Sequence, residues 1–211
     1  MKKFILFDHD GVLVETEMWY FCANEKAMQE LGIRLDLDYY LELMKHGGNW
    51  WELALEQGVS LDEVNRARER RSRYYQHYLQ TENITIHGVE EVLSDLSQHY
   101  RMGIVTTSRR VDFELIHRND RITRFMEFVL CEEDYPRAKP HPDPYLKGLQ
   151  LFNAHPDDAI VIEDSQRGLT SAVAAGIECA VVKNNFTLSH DFSAATYRID
   201  SLEDLQRLLT R

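Results

Sequence analysis

Residues 3–8 (KFILFD) form a short apolar run that reads as a strand buried on both faces. Residues 16–79 change character. They carry helical patterning rich in Glu, Leu, Tyr and Trp, punctuated near Gly32, at Gly47-Gly48 and at Gly58. Ser60-Leu61-Asp62-Glu63 has capping-box spacing, which predicts a helix from Leu61 to about Tyr78. From about residue 88 the rhythm alternates. Helices are predicted over 88–98, 109–118, 142–152, 166–175 and 201–210. Strands are predicted over 101–106, 127–131, 159–163 and 178–182.

Strands alternating with helices predict a parallel α/β sheet. The helical block after the first strand then reads as an insertion. The expected organisation is a core of residues 1–15 and 80–211, with an α-helical cap of residues 16–79 over the sheet edge. Composition agrees with a globular chain: of 211 residues, 44% are hydrophobic and 28% charged. No stretch approaches the ~20 apolar residues of a membrane-spanning helix. The apolar run near the N-terminus is too short for a secretory signal, and two aspartates follow it at once. Cys22, Cys131 and Cys179 are scattered, with no metal-ligand spacing, which fits a reduced, cytoplasmic setting.

The net charge of −11 argues against nucleic acid and anionic lipid as partners. It also means that an anionic ligand needs local cations. Arg66, Arg68, Arg70, Arg71 and Arg73 are interleaved with Glu69 on a predicted helix, and read as a solvated helix face.

Ligands of open α/β sheets bind beyond the carboxyl ends of the strands. Here those ends carry Asp8-His9-Asp10, Thr106-Thr107-Ser108 and Glu163-Asp164-Ser165, with Lys139 in a loop between the last two. Four carboxylates (Asp8, Asp10, Glu163 and Asp164) would share one site. Two like charges ~4 Å apart repel by ~4 kcal/mol at an effective dielectric of ~20. A divalent cation resolves the conflict, with Lys139 as a second counter-charge. Oxygen ligands that leave room for water and phosphate favour Mg²⁺. Thr106, Thr107 and backbone N–H groups could hold phosphate oxygens. One acid could attack phosphorus, and a second, two residues on, could serve as general acid and base. Glu163-Asp164 also reads as an N-cap for the next helix. His9, between the two acids, is expected to point its side chain away from theirs.

These motifs resemble the haloacid dehalogenase superfamily of phosphotransferases. The resemblance rests on Asp8-His9-Asp10-Gly11-Val12-Leu13-Val14, then Thr106, then Lys139-Pro140-His141-Pro142-Asp143-Pro144-Tyr145, then Glu163-Asp164-Ser165 with Gly168 and Ala174-Ala175-Gly176 behind it. It covers almost the whole chain in order, and implies a Rossmann-like parallel core with an inserted α-helical cap, as in the beta-phosphoglucomutase and phosphoglycolate phosphatase branch. It implies Asp8 as nucleophile and metal ligand. Asp10 would be the general acid/base, with its backbone carbonyl on Mg²⁺. Thr106 and Lys139 would hold the phosphoryl group. Asp164 would ligate the metal, and Glu163 would do so directly or through water.

Asp10 argues against dehalogenation, because dehalogenases of this superfamily lack that second aspartate. Tyr20 stands where the mutases carry a histidine. Thr107 replaces a frequent Asn, Glu15 a frequent Asp and Val12 a frequent Thr. The implied activity is a Mg²⁺-dependent phosphatase acting on a small phosphorylated metabolite, from a monomer or weak dimer. A mutase-type phosphotransferase and a non-catalytic binding fold are the alternatives. Tyr20, His46, Gly47, Gly48, Asn49 and Trp50 form a candidate substrate rim, although the glycine pair also reads as a simple break between helices. Ser108 and Arg109 are candidates for a second anionic group.

Overall fold

A computed structural model describes residues 2–45, 47–118 and 121–209. His46, named above for the substrate rim, lies outside them, as does Thr210 of the expected last helix. Contacts divide the chain into two compact units, residues 1–15 with 85–211 and residues 16–84.

The first unit is built on six parallel strands: β1 (Phe4–Phe7), β2 (Arg101–Val105), β3 (Phe128–Leu130), β4 (Ala159–Glu163), β5 (Glu178–Val182) and β6 (Tyr197–Ile199). Their order is β3-β2-β1-β4-β5-β6. Phe7 sits opposite Ile104 of β2 on one side and Ile162 of β4 on the other. The chain order reverses direction at β1, so this strand is the switch point at which α/β sheets bind ligands.

Strand side chains alternate between two apolar layers. Ile5, Phe7, Met102, Ile104, Ile160 and Ile162 pack with Val92 and Leu93 of α5 (Val89–Leu96) and Leu205 of α9 (Leu202–Leu209). Leu6, Val105 and Val161 face the other way. They pack with Tyr145, Leu149 and Phe152 of α7 (Asp143–Phe152) and Leu169 and Ala172 of α8 (Gln166–Ala174). With helices on both faces, the strands must be largely apolar, and β1 and β4 are buried along their whole length, including Glu163 at the end of β4. Each fully buried Leu, Ile or Phe contributes about 1.5–3 kcal/mol. The remaining helix of this unit, α6 (Arg110–Ile116), follows β2.

The sequence pattern did not predict β6. It is a three-residue edge strand whose central Arg198 is exposed, held by pairing of Ala180 with Tyr197.

The second unit contains α1 (Glu17–Gln29), α2 (Leu37–Lys45), α3 (Glu52–Glu56) and α4 (Leu61–Thr81). Positive φ at Gly32, Gly47 and Gly58 lets the chain turn between them. The capping box forms: the Glu63 N–H donates to Ser60 Oγ at 3.3 Å, and the Ser60 N–H to Glu63 Oε2 at 3.2 Å. Its core holds Phe21, Met28, Tyr40, Trp50, Trp51 and Val64. The buried Asn24 is satisfied there, donating to the Tyr20 carbonyl at 2.7 Å and accepting from Trp50 Nε1 at 3.0 Å. No helix among the described residues is long and apolar enough to cross a membrane.

Candidate active site

Three adjacent strands carry the candidate residues. Asp8 follows β1, Thr106 follows β2, and Glu163-Asp164 ends β4. The sheet order sets them side by side although Asp8 lies 98 residues before Thr106 and 155 before Glu163 in sequence. The chain leaves Asp8 through a tight turn in which the Val12, Leu13 and Val14 N–H groups all reach the His9 carbonyl. Gly11 permits this turn on two counts. Its φ is +79°, and a Cβ there would lie 2.2 Å from Asp164 Oδ2.

Lys139 is buried at the centre. Its Nζ donates to Asp8 Oδ1 at 2.8 Å, Glu163 Oε1 at 2.7 Å and the Val105 carbonyl at 2.9 Å. Burial alone would lower its pKa, yet the carboxylates of Asp8 and Glu163 outweigh that and raise it, so the ammonium stays charged. Asp8 moves the other way. Burial first, and then the Glu163 charge, push its carboxyl from 3.8 up to about 7 against the pull of Lys139. Glu163 is shifted downward: burial opposes this, but Lys139, Tyr145 and Ser165 together prevail.

Glu163 is fully enclosed and heavily bonded. Its Oε1 accepts from Lys139 and, at 2.6 Å, from Tyr145 Oη. Its Oε2 accepts from the N–H groups of Asp164 and Ser165 and from Ser165 Oγ. Gly168 is glycine because any Cβ there would strike this carboxylate at 1.8 Å. The N-cap of α8 is Ser165, whose Oγ accepts from the Gly168 N–H at 3.0 Å, and not Glu163-Asp164. Both acids are thereby left to the site.

Asp8, Glu163 and Asp164 each offer an oxygen within 4.8 Å of the others. An all-oxygen set this tight suits a hard divalent cation. Asp164 Oδ2 also accepts from Asn184 Nδ2 at 2.7 Å. Sequence reading gave no role to Asn184 or to Tyr145. Asn184 stands outside the quoted motifs and Tyr145 closes the one that begins at Lys139, but only the fold brings their side chains to the carboxylates.

Asp10 is oriented from several sides. Its Oδ2 accepts from Ser108 Oγ at 2.7 Å and Thr106 Oγ1 at 3.2 Å. The third neighbour corrects an expectation: His9 does not turn away, and its Nδ1 lies 3.3 Å from the same oxygen. Thr106 is buried, and Thr107 is half-buried at the loop. Arg109, expected to be available for an anion, instead pairs with the buried Asp112 through Nε at 2.8 Å.

In the second unit, Tyr20 packs edge-on against Tyr75 and Trp50. Gly47 occupies the turn after α2. The arginine run corrects a second expectation. Arg66 and Arg73 are exposed, and Arg70 pairs with Glu30. Arg71 turns inward, donating to Tyr20 Oη and stacking 4.8 Å from its ring centre. The Arg71 Nε is buried without a hydrogen-bond partner.

Known proteins of similar sequence and fold bear on this geometry. Protein CbbY of Rhodobacter capsulatus is 27% identical over 216 aligned positions, covering 95% of this chain and 93% of that protein. The phosphorylated carbohydrates phosphatase of Thermotoga maritima is 30% identical over 181 positions, 82% of each chain. The crystal structure of CbbY from Rhodobacter sphaeroides in complex with phosphate superposes with a TM-score of 0.82 at 22% identity, covering 97% of this chain and 96% of that one. A family model for haloacid dehalogenase-like hydrolases matches residues 5–182, and the chain belongs to that family.

Proposed function

We propose that the chain is a phosphatase that hydrolyses a small phosphorylated metabolite through an aspartyl phosphate on Asp8. The observation that carries this reading is the buried Asp8–Lys139–Glu163 cluster beside Asp164 at the switch point of the sheet. A carboxylate oxygen of Asp8 attacks phosphorus, and the ester oxygen leaves with a proton from Asp10. Asp10 then takes a proton from water as that water attacks the aspartyl phosphate, releasing phosphate and restoring Asp8. Lys139, Thr106, Thr107 and nearby backbone N–H groups hold the phosphoryl oxygens.

Asp8, Asp164 and the Asp10 backbone carbonyl would hold Mg²⁺, which when bound supplies positive charge beside the transferring phosphoryl group. With both its oxygens hydrogen-bonded within the protein, Glu163 serves better to fix Lys139 and the Asp164 loop, and reaches a cation through water.

The test is phosphate release from sugar phosphates, phosphoglycolate, nucleotides and pyridoxal phosphate, with Mg²⁺ or with EDTA. Release is expected only with Mg²⁺. Isomer interconversion without free phosphate would replace hydrolysis by transfer, and silence on every substrate would overturn the reading.

Cation binding carries its own pH signature. The folded Asp8 pKa, about 7, stands above its ordinary value of 3.8. In metal-free protein this group therefore favours folding at low pH, and that contribution is lost as pH rises from about 4 to about 7. A cation must displace the Asp8 proton. Affinity for Mg²⁺ is expected to climb by up to about tenfold per pH unit toward 7 and then level off. Calorimetry with proton-release accounting checks this.

Tyr20 and Gly47 are the proposed contacts for the part of the substrate beyond the phosphate. Ser108 keeps a place beside the phosphate through Asp10, whereas Arg109, committed to Asp112, is a weaker substrate contact.

A further inference from the structure

His9 is wholly buried between the two aspartates of the first motif, and its ring is bonded at both ends. Its Nδ1 lies 3.3 Å from Asp10 Oδ2, and its Nε2 lies 2.9 Å from Nε2 of His117. Asp10 Oδ2 accepts when the carboxyl is ionised, and also in the acid form that carries its proton on the other oxygen, so the His9 Nδ1 carries the hydrogen. In the neutral ring Nε2 is then an acceptor, and His117 Nε2 must be the donor. The result is a directed chain: His117 Nε2–H to His9, then His9 Nδ1–H to Asp10.

Helix α6 carries this chain of hydrogen bonds. His117 caps the C-terminus of α6, and Phe113 lies one turn before it on the same helix. The Phe113 ring centre is 4.9 Å from His9 and 4.4 Å from His117, so one aromatic ring clamps both imidazoles. Ser108, in the loop that enters α6, and Thr106 at the end of β2 donate to the same Asp10 oxygen. Three donors from two segments thus converge on Oδ2 and restrict rotation of the carboxylate.

We infer that His9 and His117 are positioning residues for the reaction: they brace Asp10 in the orientation from which it protonates the leaving oxygen. This rests on the assignment of Asp10 as general acid. Neither histidine touches the reacting atoms. Their effect should be felt where proton delivery matters, and vanish where the leaving group departs without a proton.

The experiment compares kcat/KM, which covers formation of the aspartyl phosphate, for an alkyl phosphate and for p-nitrophenyl phosphate. Because p-nitrophenolate is a weak base, it needs little protonation on departure. The alkyl-to-nitrophenyl ratio is also independent of the fraction of active protein, so partial misfolding does not disturb it. His117→Phe keeps the packing against Phe113 and removes the donor; His117→Asn keeps an amide but is too short to reach His9. Both are expected to lower the ratio by about tenfold, a part of the roughly 10²–10⁴-fold that general acid catalysis supplies. His117→Gln, which can present an N–H to His9, should recover most of it.

A ratio unchanged from wild type in both the Phe and the Asn variants overturns the brace, as does a Gln variant no better than Asn. Asp10→Asn separates the brace from the acid it serves. It should depress the ratio further than any His117 variant. If it leaves the ratio untouched, the assignment of Asp10 fails, and the brace fails with it for that distinct reason.

Discussion

Replacing Asp8 with Asn is expected to lower turnover by about 10⁴-fold or more, because the nucleophile's anionic oxygen is gone while the rest of the site remains. Inactivation should come without unfolding. The Asp8 carboxyl is already penalised by burial and by Glu163, so removing its charge relieves a conflict. The new amide oxygen can still accept from Lys139 Nζ, which keeps its bond to Glu163. In EDTA the variant should therefore melt at or above the wild-type temperature, and Mg²⁺ should stabilise it less. Phosphate release and thermal melts with and without Mg²⁺ check both halves. Turnover near wild type would sink the aspartyl-phosphate mechanism, while a collapse of the melting temperature would mean that Asp8 is chiefly structural.

Lys139→Met should act in the opposite sense on stability. The substitution is close in volume but leaves Asp8 and Glu163 facing one another with no protein counter-charge, and leaves the Val105 carbonyl without its donor. Removing one member of a buried ion pair costs about 3–5 kcal/mol. For a chain of this size that corresponds to a fall in melting temperature on the order of 10 °C. Lowering the pH toward 5 should shrink the deficit, because Asp8 then takes up a proton. Mg²⁺ should rescue the variant's stability by more than it raises that of wild type, since the cation replaces the missing charge. Activity should stay low even when stability is restored, because Lys139 is also the proposed ligand of the phosphoryl oxygens. A melting temperature within a degree or two of wild type in EDTA would show that the three-way contact contributes little.

The two predictions share one root. Asp8 and Glu163 are held close by Lys139, and the site is stable only while positive charge stands between them. In a chain with a net charge of −11 that positive charge must be built locally. Burying Lys139 against three acceptors achieves this for the empty protein, and the cation proposed for the site would extend it to the loaded one.

Much of this was legible in the sequence. The strands Ala159–Glu163 and Glu178–Val182 lie where their apolar runs predicted, because the stretch of a strand that helices cover on both faces has to be apolar, while a glutamate stands at one end of each. Asp8, Thr106, Lys139, Glu163 and Asp164 were readable as polar residues ending such runs or standing in the loops between them, and Ser60 and Glu63 announced the start of α4. The edge strand Tyr197–Ile199 was not readable, since three residues with an exposed arginine carry no periodicity and form a strand only because β5 offers a free edge.

What the tertiary structure decided is which distant residues meet. Tyr145 reaches Glu163, Asn184 reaches Asp164 and His117 reaches His9 across separations of 18, 20 and 108 residues. The same holds for Arg71, one of five similar arginines by sequence, whose guanidinium turns against Tyr20 from 51 residues away. Local pattern records how each segment meets solvent and core, so the sequence by itself determined the strands, the helical insertion and the acids at the strand ends. Hydrogen-bond partners follow from the order of strands in the sheet and the packing of helices on it. Those are properties of the assembled chain, and they alone decided the supports around the acids.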